Sequence, residues 1–222
     1  MGTSLAEAHQ IAWQRIGQPG TWLSGAQRIA IAIETRNATD CELCAQRKAA
    51  LSPYSIEGTH TVHATRVELP DDMIDAAHRI TTDPSRLTKD WHNGLSISDA
   101  EYVELVGVSI TAIGIDTFDR AVGNDLRELP EAQPGEPSRR RPSDAVDPTA
   151  WIPMRKLPGA PNVARALSLV PAEAKALQAL VGVEYVPPLA LIDLTFDPGR
   201  SISRQQMELI AARVSAHQDC FY

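Results

Sequence analysis

The sequence predicts an all-α fold made of tandem duplicated helical modules, the second of them incomplete. Three observations carry this expectation. Apolar positions recur at helical spacing between capping residues over most of the chain. A Pro- and Arg-rich stretch without periodicity separates two such regions. Finally, placing Cys41 on Cys220 aligns residues 24–43 with 203–222.

Ser4, followed by Glu7 and by Leu5, Ala8, Ile11, Ala12 and Ile16, opens a first helix that Gly17 closes. A second runs from about Ser24 to Ala38, with Ala26, Ile29, Ala30 and Ile33 on one face. It delivers the chain to Asp40-Cys41-Glu42-Leu43-Cys44, where Asp40 is the expected N-cap of the next helix. From Pro70 to Ile80, proline and two acids precede Met73, Ile74, Ala77 and Ile80 at helical spacing. Ser98 and Glu101 form a capping box ahead of a long apolar helix reaching Phe118, expected to be buried throughout. Helical pattern returns over Ala172 to Val181 and Ser203 to His217. The expected organisation is a first module over 1–129, a linker over 130–162 and a second, shortened module over 163–222. In the aligned copies Ser24 pairs with Ser203, Gln27 with Gln206, Ile31 with Ile210, Ala32 with Ala211 and Asp40 with Asp219.

Composition narrows the function classes. The chain has 222 residues, 43% of them hydrophobic, enough for a substantial core. A formal net charge of -7, with only Arg139 to Arg141 as a basic run, argues against a nucleic-acid partner, since phosphate binding needs concentrated positive charge. No stretch approaches the roughly 20 apolar residues of a membrane span, and no signal-peptide pattern opens the chain, so no membrane association and a cytoplasmic location are expected. Three cysteines do not form the even framework of a secreted domain, and in a reducing compartment a Cys-x-x-Cys pair is more often catalytic or metal-binding.

Cys41 and Cys44 stand one turn apart at the expected start of a helix, where free backbone N–H groups favour the thiolate while Asp40 and Glu42 oppose it. Three readings follow. In the first the pair is redox-active. In the second it binds zinc together with His60 and His63, although the spacing differs from that of common zinc fingers: His60 comes 16 residues after Cys44. In the third the cysteines are buried and inert.

A helix leading into Cys-x-x-Cys, duplicated in one chain and surrounded by helices, resembles the alkylhydroperoxidase D and carboxymuconolactone decarboxylase family. That resemblance implies an all-helical, AhpD-like bundle and a peroxiredoxin-type alkylhydroperoxidase activity. One thiolate attacks a peroxide, the sulfenic acid condenses with the other cysteine, a glutamate and a histidine relay protons, and an external dithiol reduces the disulfide. It implies no cofactor and no bound metal, and it implies association into a homo-oligomer. The family pattern has a glutamate, eleven intervening residues, Cys-x-x-Cys, three intervening residues and a histidine. Here those positions in the first module hold Ile29 and Lys48. Glu34 lies nearer and substitutes for the family glutamate only if the helix turns it inward, its other reading being a solvated helix residue; Lys48 either favours the Cys44 thiolate or is a surface lysine.

In the second module Glu208 precedes Cys220 by twelve positions and does match; His217 lies close by, off the family position. The resemblance thus names Cys41, Cys44, Glu208 and Cys220 as catalytic candidates. Two alternatives retain the fold without the thiol chemistry: a decarboxylase-like enzyme acting on a lactone, and a non-catalytic scaffold whose structural cysteine pair is either metal-free or zinc-bound. His78, His92, Trp91, Asp116 and Asp119 either line a pocket or, as expected, are packing or surface residues.

Tyr222 stands immediately before the position of the second motif's second cysteine. The expectation is that the next codon is a stop codon read as selenocysteine; a shortened second module and a frameshifted fragment are the alternatives. Sequencing the gene past Tyr222 decides this: TGA followed by an open frame encoding a helix with a histidine four residues on is the expected result, and an ordinary stop with no coding sequence beyond it removes the idea.

Overall fold

In a computed structural model the described residues are 3–62, 69–147, 150–187, 190, 193, 195–197, 199–218 and 220. They form α1 (Leu5–Ile16), α2 (Gly25–Asn37), α3 (Glu42–Ala49), α4 (Asp71–Thr82), α5 (Lys89–Asn93), α6 (Asp99–Ala121), α7 (Asn162–Arg165), α8 (Pro171–Glu184) and α9 (Arg204–His217). Two short antiparallel strands, β1 (Ala145–Asp147) and β2 (Met154–Arg155), complete the description. The helical class is as the sequence predicts. Ser4, Ser24, Ser98 and Ser203 all act as N-caps, each accepting from the backbone N–H three residues on.

Helices α2, α4 and α6 pack on one another and build the centre of the core from Ala30, Ile31, Ala32, Met73, Ala76, Ala77, Leu105 and Val108. Alanines on α2 and α4 let the two axes approach closely, because interaxial distance follows side-chain size at the contact. Helix α6 is not buried all round: Gly114 and Thr117 are exposed, and its other face carries the core. Trp13 of α1 fills the flank, with its indole N–H donating to the Glu128 carbonyl over 2.7 Å.

The first part of the expected linker is held against the preceding helices. Gln133 and Arg139 donate backbone hydrogen bonds of 2.7 Å to the Gly17 and Thr21 carbonyls, so this segment is strapped along the loop between α1 and α2. Helix α8 lies against α1 and α6, and its Leu180 belongs to the same core cluster as Trp13 and Ile16.

A buried ion network ties these parts together. Arg28 on α2, 1% exposed, reaches Glu104 on α6 and Glu173 on α8, each over 2.8 Å, and Arg15 on α1 grips Glu173 through two bonds of 2.7 and 2.6 Å. Glu104 also accepts from the backbone N–H of Trp22 over 2.8 Å. Two glycines make room for the carboxylates. A Cβ at Gly20 would stand 1.6 Å from Glu104 Oε1, and one at Gly107 would stand 2.5 Å from Glu173 Oε2. Burial raises the Glu173 pKa, but the hydrogen bond from Arg15 and the charges of Arg28 and Arg15 outweigh it, and the net shift is downward. The carboxylate's contribution is therefore fully present above the ordinary glutamate pKa and is lost as pH falls through the depressed one.

Replacing Arg28 with methionine leaves two buried carboxylates with one fewer cation. The expected loss is about 3–5 kcal/mol of stability, read from urea denaturation at neutral pH. A midpoint unchanged from the parent protein would show that the network contributes nothing net.

Candidate functional site: a buried cluster of two cysteines and two histidines

The chain enters the site at the C-terminal end of α2. A turn of 3-10 helix, Ala38–Asp40, leads to Cys41, which has extended backbone angles and is itself the N-cap of α3. Asp40 is therefore not the cap the sequence predicts. It ends the preceding turn and is exposed. Cys44 follows at the third helical position, and both cysteines are free thiols, 1% and 3% exposed.

Two histidines from other parts of the chain meet these sulfurs. His78, on α4 and fully buried, brings Nδ1 to 3.3 Å from Cys44 Sγ. His60, in the loop before α4, brings Nδ1 to 3.6 Å from both Cys41 Sγ and Cys44 Sγ. The two Sγ and two Nδ1 atoms all lie within 4.8 Å of one another. Each ring is held from behind by a carboxylate: His78 Nε2 is 3.0 Å from Glu34 Oε2, and His60 Nε2 is 2.9 Å from Asp75 Oδ1. Asp75 is in turn gripped by Arg47 at 2.7 Å, Arg79 at 2.8 Å and the Trp91 indole N–H at 2.8 Å.

Electrostatics follow from this geometry. Burial works against ionising Cys44, but the hydrogen bonds from His60 and His78 and the charge of His78 outweigh it and bring the thiol down to about 6. Cys41 also moves down: burial opposes, while the backbone N–H groups of Cys44 and Thr61 and the His60 ring favour its thiolate. Burial disfavours the imidazolium of His60, yet its bonds to Asp75 and to both sulfurs raise it to about 10. His78 rises to about 9 against burial, through Cys44 and Glu34. For Asp75 burial again opposes ionisation, and its bonds to His60 and Trp91 with the charge of Arg79 hold it far below the usual carboxylate range.

Such a cluster can serve as a thiolate–imidazolium redox centre, or, with its protons removed, it offers two sulfurs and two nitrogens to a metal ion. A cleft of about 520 Å³ lined by Arg47, Asp71, Asp75, Trp91 and Leu95 reaches His60, which thus stands between the cleft and the sulfurs.

Of the residues singled out from sequence, Cys41 and Cys44 meet here. Glu208 does not join them: it pairs with Arg204 at 2.6 Å and with the Tyr185 hydroxyl. Cys220 is exposed, as is His217, and neither belongs to the cluster among the described residues. Lys48 is exposed and Ile29 packs against the core. His63 lies outside the described residues. Asp116 is bound by Arg36 and Asp119 by Arg127, as packing residues would be, and His92 is buried against Tyr102.

Two readings are corrected. Glu34 is turned inward rather than solvated, 1% exposed and bound to His78. His78 is part of the sulfur cluster. Trp91 packs against the core, as expected, and also holds Asp75. One signal in the sequence was available: Glu34 follows Ala30 and Ile31 at helical spacing, and His78 follows Ile74 by four, so both are polar residues on buried stripes.

The fold and site together define a helical protein with a buried Cys2His2 cluster. No protein-family model, no curated protein and no solved structure matches the chain. No helix among the described residues is long and apolar enough to cross a membrane.

Removing Cys41 and Cys220 by serine substitution isolates Cys44. In the metal-free chain its thiolate absorbance should vanish at a pH below the ordinary thiol value of about 8.5, because His60 and His78 hydrogen-bond the sulfur, and His78→Ala should move that midpoint up. A parent midpoint already at the ordinary value would contradict the histidine coupling.

Proposed function

We propose that the protein reduces peroxides through Cys41 and Cys44, as the resemblance to alkylhydroperoxidases suggests. The observation that carries this reading is the chain Cys44 Sγ, His78 Nδ1, His78 Nε2, Glu34, with contacts of 3.3 and 3.0 Å in a fully buried setting. It supplies from α2 and α4 the glutamate and histidine that the Cys-x-x-Cys neighbourhood lacks in sequence.

In this mechanism the Cys44 thiolate attacks the peroxide's terminal oxygen. An S–O bond forms, the O–O bond breaks, and the departing alkoxide takes a proton from a neighbouring imidazolium to leave as alcohol. Cys44 is now a sulfenic acid. The Cys41 thiolate attacks its sulfur, the S–O bond breaks, and hydroxide leaves as water with a second proton. His60 and His78 hold the two protons required. A disulfide needs an S–S distance of about 2.05 Å, which the sulfurs reach by side-chain rotation from their positions within 4.8 Å of each other. An external dithiol then restores both thiols by exchange.

The same reading includes an AhpD-like tandem arrangement, a cytoplasmic setting and a homo-oligomer. Supporting the duplication, α2 and α9 open with the same Ser and Gln capping box, Ser24 with Gln27 and Ser203 with Gln206.

One equivalent of peroxide should lower the titre from three thiols to one, leaving Cys220. Cys44→Ser should abolish this loss, Cys41→Ser should leave a trappable sulfenic acid on Cys44, and His78→Ala should slow oxidation by about 10²- to 10⁴-fold. Thiol loss that proceeds equally fast in Cys44→Ser would sink the proposal.

A further inference from the structure

We propose that, when both thiols are reduced, Cys41, Cys44, His60 and His78 hold one zinc ion in a closed tetrahedral site. The donors come from three separate places, the start of α3, the following loop and α4, and converge without an ion being needed to justify any one contact. With Zn–S of about 2.3 Å and Zn–N of about 2.0–2.1 Å, tetrahedral angles separate a sulfur from a nitrogen by about 3.5 Å. Three of the four S···N separations here are 3.6, 3.6 and 3.3 Å, and the fourth, Cys41 to His78, lies within 4.8 Å.

The second observation is independent of those distances. Both rings turn Nε2 to a carboxylate, Glu34 or Asp75, so that an N–H there leaves the Nδ1 lone pair facing the sulfurs. Carboxylate-braced imidazoles are how proteins orient histidine ligands. Two thiolates also neutralise a divalent cation in a place where Cys41, Cys44 and His78 are at most 3% exposed. Two sulfurs and two imidazoles in tetrahedral array favour zinc over oxygen-seeking magnesium or calcium, and four protein donors leave no open position. Bound there, the ion clamps α3 and the His60 loop onto α4.

The site stands without the redox reading, and only its release step rests on it. Zinc and disulfide exclude each other because both use the same two sulfurs. In the loaded form, two zinc-bound thiolates, one peroxide and two protons give the disulfide, an alcohol, water and free Zn²⁺. Peroxide thereby expels the metal.

The test uses the full chain, reduced and stripped by a chelator under anaerobic conditions, then titrated with Zn²⁺ against a chromophoric indicator and separately with Co²⁺. One equivalent of each should bind, cobalt giving the intense d–d bands of a tetrahedral site and thiolate-to-metal charge transfer. Cys44→Ser should lose charge-transfer intensity and His78→Ala should lose tight binding. Glu34→Gln, which keeps the fold and all four donors, should weaken affinity by about 10- to 100-fold. Far-ultraviolet circular dichroism without metal confirms that each variant is folded.

A folded, reduced parent that gives no tetrahedral cobalt spectrum overturns the site, as does parental affinity in Cys44→Ser. The peroxide arm is read separately: a protein that binds zinc but forms no disulfide keeps the metal site and loses the redox reading. One that forms the disulfide yet binds no metal does the reverse.

Discussion

The position of α2 is the constraint on which the remaining structure depends, and the buried contacts of Arg28 fix it. A guanidinium that is 1% exposed has no water to fall back on, so it holds its place only while Glu104 and Glu173 face it. Those partners sit on α6 and α8, and Arg15 adds α1 through Glu173. Four helices are thereby set in mutual register by groups whose separation would leave buried charge unpaired. Six residues beyond Arg28, about 9 Å along the same helix, Glu34 is delivered to His78.

The burial of apolar residues such as Trp13, Ile31, Leu105 and Ile115 supplies most of the stabilisation, at about 1.5–3 kcal/mol for each large side chain. The ion network contributes specificity of placement more than net free energy. Gly20 and Gly107 show how closely that placement is defined, since a single methyl at either would meet a carboxylate oxygen at a non-bonded distance no side chain tolerates. Helix α4 then completes the site. It supplies His78 to the sulfurs and Asp75 to His60, and Arg79 of the same helix holds Asp75.

Local features of the chain were legible in advance. The capping serines, the helical apolar spacing and the Cys-x-x-Cys pair depend on residues within one or two turns of each other, where sequence distance and spatial distance coincide. The partners of the pair were not legible in that way. The sequence offers His60 as a zinc donor only together with His63, as completing two Cys and two His, while His78 stands 34 residues beyond Cys44 and Glu34 lies before Cys41 on another helix. Helix periodicity marks such residues only as polar groups on buried faces, without saying which of them meet.

The sequence by itself determined the longer helices, the four serine caps and the one-turn separation of Cys41 and Cys44, because backbone hydrogen bonding and side-chain spacing act locally. Only the tertiary structure decided that Cys44, His60 and His78 share one cluster, with Glu34 and Asp75 behind the rings. The reason is physical: bringing these groups out of water is favourable only when all of them arrive together, and their convergence depends on how α2, α3 and α4 pack around a core that no single segment specifies.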